Sequence, residues 1–367
     1  MMKKRVFAAL FLLTLAMLAL LLVPPLFAGE NPVQLPGAAV ADRQLLRVWV
    51  LGAPGGGMRW LRGCIRTFEK AASGVSVYVR QNAPLEDVRE YPPDVLLFLP
   101  GELTTPEGIL LPFATKIEAE EPLLRSGRWQ GTSYALPVAW GAWALCINRQ
   151  WDSTPSTGVP VPTAFLGYPS ATVSPDKTLP YPREDMLRSP IPLAAPKGVS
   201  LVSLGLLLPQ ESRPPLGDAF PMDSVAAYQA FAAGRAGSAL LTTGQITALE
   251  ALQQLGRGVP FRVMVPDIIV TDQVWMAGLC RESPMGAAFL QHLASDGCQQ
   301  ALNAQGLHAV RRDVPGGAGH TALAVDESAR RGFIAMNAFL PRETAAQTAW
   351  QLFQGILSLP EGLPLLQ

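Results

Sequence analysis

The first hundred residues carry hydrophobic positions at strand spacing and helix spacing in turn. The run over 45–51 is apolar, rich in β-branched and aromatic residues, and ends at a glycine-rich stretch, which predicts a strand. Over 58–72 the pattern changes to one helix face, formed by Leu61, Ile65 and Phe68. Runs over 75–79 and 94–99 predict two further strands, the second buried on both faces. Strands separated by a helix at this spacing predict a parallel sheet with right-handed crossovers.

The later part of the chain returns to the same alternation after a proline-rich interval. Prolines recur every few residues over 153–221, and because proline removes a backbone donor we expect mainly loop there. Beyond it, apolar spacing predicts helices and strands in alternation. The predicted strands are 237–244, 261–265 and 274–279, and the predicted helices are 222–234, 245–255, 285–294 and 343–359.

The N-terminus has the pattern of an export signal. A basic stretch over 1–5 precedes an uncharged apolar run over 6–23, and two prolines follow. The apolar run is long enough to cross a bilayer, so residues 1–29 are either a signal peptide or a membrane anchor helix. No cysteine stands where a lipoprotein would carry its lipid. Residues 30–44 then have the composition of a tether.

Composition excludes several classes of protein. The chain has 367 residues, of which 49% are hydrophobic and 16% charged, which excludes a disordered chain. Its length suits two lobes rather than one core. Lys+Arg and Asp+Glu number 29 each, and no basic stripe is present, so nothing points to a nucleic-acid partner.

Four cysteines allow three disulfide pairings in an exported protein; they are Cys64, Cys146, Cys280 and Cys298. None has the spacing of a zinc site, so no metal is expected. A helix between Cys280 and Cys298 would hold those two apart. One bridge and four buried free thiols both remain open.

The stretch Gly131-Thr-Ser-Tyr-Ala-Leu-Pro137, continuing to Asn148, resembles a crossover of the extracellular solute-binding proteins of ABC importers. Three further segments, in the same order, resemble the maltose-binding-protein branch of that family. They are 46–79, 228–244 with the sequence YQAFAAGRAGSALLTTG, and 274–310. The resemblance covers nearly the whole chain after the tether.

This resemblance implies a two-lobed α/β fold of the periplasmic-binding-protein type with hinge crossovers near Pro137, Pro266 and Ala309. The first lobe would comprise 45–137 with 266–308, and the second 138–265 with 309–367. A ligand would bind in the cleft between them.

Sugar sites combine aromatic platforms with planar polar groups, and the cleft candidates are chosen on that basis. For each tryptophan, burial in a lobe core is the competing interpretation. Trp140 and Trp143 differ by three positions, so on one strand they would face opposite sides. The glycine-rich stretch 55–57 would allow close approach to a ligand, although it lacks a nucleotide-binding spacing. The candidates are Trp60, Glu102, Trp140, Trp143, Gln245 and Trp275.

The function implied is capture of a small solute, a carbohydrate in the first instance, and its delivery to the permease subunits of an ABC importer. A monomer without cofactors is expected, periplasmic or on the outer face of the cytoplasmic membrane. An amino acid, a peptide or a polyamine is another possible ligand. A membrane-anchored sensor or accessory domain of the same fold is the alternative.

An exported hydrolase is the least supported class. The chain has only three histidines, His292, His308 and His320, and none lies in a recognisable catalytic motif. His320 is expected in a glycine-rich loop. We therefore predict no catalytic residues and no enzymatic activity.

Overall fold

The computed structural model describes residues 43–112, 118–149, 195–196, 198–208, 221–311, 313–314 and 319–367. The predicted signal or anchor segment, nearly all of the tether and most of the proline-rich interval lie outside these residues. Within that interval the expectation of loop was wrong for Ser200–Leu207, which form a helix because this stretch contains no proline. Within the described part, no helix is both long and apolar enough to cross a membrane.

The larger sheet has five strands: β1 (Gln44–Val50), β2 (Val75–Gln81), β3 (Val95–Phe98), β6 (Leu136–Trp140) and β13 (Val274–Leu279). Their order in the sheet is β2-β1-β3-β13-β6. Strand β1 pairs in parallel with β2 and β3, which confirms the parallel sheet predicted for this part of the chain. Strand β13 pairs antiparallel with both β3 and β6.

Helices cover the five-stranded sheet because each presents an apolar face to it. On one side, Phe68 and Phe289 meet edge to face with ring centroids 5.1 Å apart, joining helices from the two ends of the chain. Both rings are buried among the strand residues of the same cluster. The helices on and beside this sheet are α1 (Gly57–Ala71), α2 (Leu85–Glu90), α7 (Pro284–Leu293) and α8 (Asp296–Gln300).

The second sheet has three antiparallel strands with β7 at its centre: β7 (Trp143–Asn148), β10 (Ser238–Thr242) and β11 (Phe261–Met264). Every residue of β7 and β10 is buried, since both faces of the sheet are covered. Phe231 and Ile246 pack on one face and Leu204 on the other. The helices involved are α4 (Ser200–Leu207), α5 (Ser224–Ala232) and α6 (Thr243–Gln254).

The remaining elements complete the outer layers. The helices are α3 (Glu121–Ser126), α9 (His320–Arg331), α10 (Arg342–Gln354) and α11 (Leu359–Gly362), with 3₁₀ turns at Asn303–Gln305 and Leu363–Leu366. The short strands pair as β4 (Arg128–Trp129) with β5 (Thr132–Ser133), β8 (Ala195–Pro196) with β9 (Pro221–Met222), and β12 (Ile269–Thr271) with β14 (Phe333–Ala335).

Two predictions at the C-terminal end were wrong. His320 was expected in a glycine-rich loop, but it begins α9. The single helix expected over 343–359 ends at Gln354, because Gly355 adopts a left-handed conformation with φ of 73°.

Leucines in two of these helices provide a test of where the core lies. Leu290 in α7 is 3% exposed, whereas Leu323 in α9 is 54% exposed. Leu290→Ala should lower the free energy of unfolding by about 2–5 kcal/mol, because it removes buried methyl groups and leaves a cavity. Leu323→Ala should change it by less than about 0.5 kcal/mol. Denaturant unfolding measures both, and equal losses would contradict this assignment of the core.

Candidate ligand-binding cleft

Three connecting stretches of the chain lie side by side between the two sheets: the turn after β6, the residues just before β13, and the stretch at His308. The turn Gly141-Ala142 joins β6 to β7, and the Gly141 N–H donates to the Gln273 carbonyl at 2.8 Å, just before β13. Trp140 and His308 exchange two backbone hydrogen bonds, of 3.1 and 2.7 Å. Connections gathered at one place are what a hinge between two lobes requires.

The indole of Trp140 packs within this group of connections. Its ring stacks on the imidazole of His308 with centroids 4.3 Å apart and planes 22° apart. Its Nε1 donates to the Ala309 carbonyl at 2.8 Å. His308 is held in turn by Asp326, with 2.7 Å between Nδ1 and Oδ1. Trp140 is 5% exposed, so in this conformation the ring presents no free face.

Trp143 lies beyond the turn and belongs to a different core. It packs within the three-stranded sheet, whereas Trp140 packs against the five-stranded sheet. Its Nε1 donates to Asp272 Oδ1 at 2.7 Å, and the residue is 4% exposed. The two tryptophans are therefore separated by a change of sheet and do not share one strand.

The rings of Trp60 and Trp275 pack against each other beside the loop 52–57. Their rings lie 5.7 Å apart, and both are buried, at 2% and 0% exposure. The Nε1 of Trp275 donates to the Gly52 carbonyl at 2.9 Å, and that of Trp60 donates to the Cys298 carbonyl at 2.6 Å. The indole of Trp275 therefore holds the start of the loop at Gly52, and Trp60 packs against that indole.

The loop at Gly55 and Gly56 contacts two other segments of the chain. Three glycines make these contacts possible, and we call the set the glycine junction: Gly56, Gly244 and Gly306. A Cβ on Gly244, in the first turn of α6, would lie 2.3 Å from the Gly55 carbonyl oxygen. A Cβ on Gly306 would lie 2.6 Å from the Thr243 oxygen, and one on Gly56 would lie 2.7 Å from that of Gln305. Each glycine thus allows two backbones to touch where any side chain would collide.

The glycine junction brings together parts of the chain assigned to different lobes. The loop and Gly306 belong to the predicted first lobe, and α6 to the second. The glycine-rich stretch was expected to approach a ligand; in this structure it approaches the protein backbone of α6.

Gln245 caps the helix that carries Gly244. Its Oε1 accepts from the Thr242 N–H at 3.0 Å, and the Thr242 hydroxyl accepts from the Gln245 N–H at 3.3 Å, which is a capping box. Its Nε2 donates to the carbonyl and the hydroxyl of Ser224 at 2.9 and 2.8 Å. The amide is therefore engaged by protein groups on both sides, although the residue is half-buried.

Glu102 lies at the other side of the loop. Its Oε2 accepts from the Leu99 N–H at 2.7 Å, and its Oε1 pairs with the Arg342 guanidinium at 3.0 Å. The side chain is 14% exposed. Burial raises the pKa of this carboxyl group, and the Leu99 N–H and Arg342 oppose that rise.

Each of the six predicted contact residues is therefore hydrogen bonded to other groups of the protein. Their role in ligand binding stays a prediction. Sequence reasoning did not identify Gly244, Gly306 or Arg342. The Thr-x-x-Gln pattern of a capping box does signal the role of Gln245. Within the described residues, no cluster of three or more His, Cys, Asp or Glu side chains could hold a metal.

No family model and no curated protein matches the sequence. The described fold is nevertheless that of the two-lobed periplasmic binding proteins. It is similar to the GacH receptor of Streptomyces glaucescens GLA.O, whose crystal structures were determined unliganded and in complex with acarbose and an acarbose homolog. The match has a TM-score of 0.56 and covers 88% of this chain and 96% of the receptor at 14% identity. The fold predicted from the sequence resemblance is confirmed.

Replacing one glycine of the junction should hold the two contacting segments apart. Gly244→Ala places a methyl group against the Gly55 carbonyl, which cannot move without shifting the loop. We expect a larger radius of gyration for the variant in small-angle X-ray scattering. Gly63→Ala is the control, since its Cβ would meet no atom within 4 Å. An unchanged radius for Gly244→Ala, with the fold retained, would contradict the closed contact.

The raised pKa of Glu102 gives a pH-dependent test. The folded chain keeps a proton on Glu102 over a pH window above the ordinary glutamate value, where the unfolded chain has lost it. The contribution of Glu102 to stability therefore falls as the pH rises through this window. Glu102→Gln removes this effect, so the Tm of the variant relative to the wild type should increase from about pH 4 to pH 7.

Glu361 provides the control of opposite sign. Hydrogen bonds from the Ser358 hydroxyl and N–H lower the pKa of this exposed carboxyl group. Its contribution is present above the ordinary glutamate pKa and is lost as the pH falls. The relative Tm of Glu361→Gln should therefore decrease over the same rise in pH. Parallel curves for the two variants would show that the environment of Glu102 has been assigned incorrectly.

Proposed function

We propose that the chain is an extracytoplasmic solute-binding protein that captures a small solute between two lobes and delivers it to the permease subunits of an ABC importer. The observation that carries this proposal is the similarity of fold to the acarbose-binding GacH receptor, which extends over 88% of the chain. A carbohydrate is accordingly the first ligand class to test. The export pattern of residues 1–29 supports a location outside the cytoplasm.

Capture would proceed by a shift between open and closed forms. A solute that contacts both lobes binds the closed form better and therefore increases its population. The glycine junction supports this, because the loop at Gly55, in the predicted first lobe, is in direct contact with Gly244, in the predicted second lobe. The gathered connections at Trp140 would be the pivot.

Within this proposal, Glu102 and Gln245 are the favoured polar contacts. They flank the loop 52–57, and they are the two of the six candidates that are not fully buried. A carboxylate and an amide suit the hydroxyl groups of a sugar. Binding would require them to exchange part of their present hydrogen bonding for ligand contacts. The four buried tryptophans would hold the cleft residues in place without contacting the ligand.

A thermal-shift screen tests the binding function directly. The panel should contain malto-oligosaccharides and acarbose, with amino acids, short peptides and polyamines as the other classes. A ligand at 100 times its Kd adds about 2.7 kcal/mol to the free energy of unfolding, which should raise Tm by several degrees. Calorimetric titration then gives the stoichiometry, and one ligand per chain is expected.

The outcomes separate the proposed function from its alternatives. A carbohydrate recovered unchanged after incubation supports binding without hydrolysis, whereas a cleaved product would support an exported hydrolase. Loss of uptake on deletion of the gene supports transport; unchanged uptake with a lost transcriptional response would indicate a sensor. The absence of a shift with all four ligand classes would contradict the binding function.

A further inference from the structure

Two of the four cysteines lie together in the core of the five-stranded sheet. Cys64 is in the middle of α1 and Cys298 is in α8, and they are 3% and 4% exposed. Both belong to one buried cluster, although 234 positions separate them in the chain. All four cysteines are free thiols in this structure, and Cys64 and Cys298 are each the largest influence on the pKa of the other.

Contacts around the pair fix the two helices in this arrangement. Trp60 lies one turn before Cys64 on the same face of α1, and its Nε1 donates to the Cys298 carbonyl at 2.6 Å. On the next turn, the Thr67 hydroxyl donates to the Cys64 carbonyl at 2.8 Å. His292 Nε2 lies 2.9 Å from the Thr67 hydroxyl and 3.0 Å from the Cys64 carbonyl. The pair is thus held from both sides by side chains of α1 and α7.

The two sulfur atoms have different chemistry. The interaction with the Cys64 thiol, together with hydrogen bonds from Ser295 and Thr67, lowers the pKa of Cys298 to about 7 against the effect of burial. The same interaction and burial raise the pKa of Cys64. Cys298 is therefore the thiolate of the pair, which is the form that attacks a disulfide.

We propose that Cys64 and Cys298 form a disulfide when the chain folds in an oxidising compartment. This inference rests on the proposed function only for the location outside the cytoplasm. The oxidant is a thiol–disulfide exchange partner. While the pair is still accessible during folding, the Cys298 thiolate attacks one sulfur of the partner's disulfide, forming a mixed disulfide and releasing the first partner thiolate. Cys64 then loses its proton, and its sulfur attacks the Cys298 sulfur of the mixed disulfide, forming the Cys64–Cys298 bond and releasing the second partner thiolate. The two electrons leave on the reduced partner, which also takes up the Cys64 proton.

The other two cysteines remain thiols in this scheme. Cys146 is fully buried in the three-stranded sheet, and burial raises its pKa. Burial and the nearby Asp94 carboxylate raise the pKa of Cys280 to about 12. Both therefore lack the thiolate character that exchange requires.

A bridge at this position would hold α8 to α1. The segment after α8 leads to Gly306, so one side of the glycine junction would be fixed to the core of the sheet. Cross-linking also removes freedom from the unfolded chain, and more for a long loop such as this one.

Peptide mapping tests the pairing, because trypsin places each cysteine on its own peptide: 63–66, 129–149, 263–281 and 282–311. The full chain is reduced, unfolded in guanidinium chloride and refolded into a mixture of oxidised and reduced glutathione. Free thiols are then alkylated with iodoacetamide in guanidinium chloride, so that buried thiols also react, and the digest is analysed without reduction. We expect 63–66 linked to 282–311, with the other two peptides alkylated. Alkylation of all four peptides, or a different linkage, would overturn the proposal.

A second measurement tests the effect of the bridge on stability. Dithiothreitol should lower the Tm of the oxidised protein by about 5 °C. The variant with Cys64→Ala and Cys298→Ala should show no such drop, and the matched variant with Cys146→Ala and Cys280→Ala should keep it. A drop that persists in the first variant would count against the pairing. Neither measurement uses a solute, so a chain that binds none of the panel can still yield the linked peptide.

Discussion

The contact between Trp140 and His308 is the constraint on which the arrangement of the two sheets depends. Each sheet has buried clusters of its own. What relates them is a small region where the indole stacks on the imidazole, the two backbones pair, and the next turn bonds to Gln273. Asp326 holds the imidazole in its orientation from outside.

Regular structure was partly predictable from the sequence because buried segments carry apolar runs or apolar faces. Strand β3 is apolar along its whole length, and α1 has one apolar face. Several helices were not predicted, and two of them show why such a signal fails. In α4 six of the eight residues are buried, so no single face stands out; α9 buries only Thr321, Val325 and Ser328. Their existence depends on partners that are distant in the sequence.

The candidate site was less predictable, for a reason that concerns the tryptophans. Residue type identifies an indole as suitable for a sugar platform, but its direction is set by where its N–H finds an acceptor. For Trp60 and Trp275 these acceptors are carbonyls 238 and 223 positions away in the chain. No local pattern records such partners. For Gln245 the local pattern was present, since a capping box is read within four residues.

The glycine junction has a consequence for how this sequence can change over time. Gly244 and Gly55 are 189 positions apart, yet the space available to one is defined by the main chain of the other. A larger residue at Gly244 can be accommodated only if the loop after β1 changes its length or its path. Substitutions in the two segments should therefore be strongly non-additive, as for residues in direct contact. Insertions and deletions near 52–57 and side-chain size at 244 should accordingly vary together among related sequences.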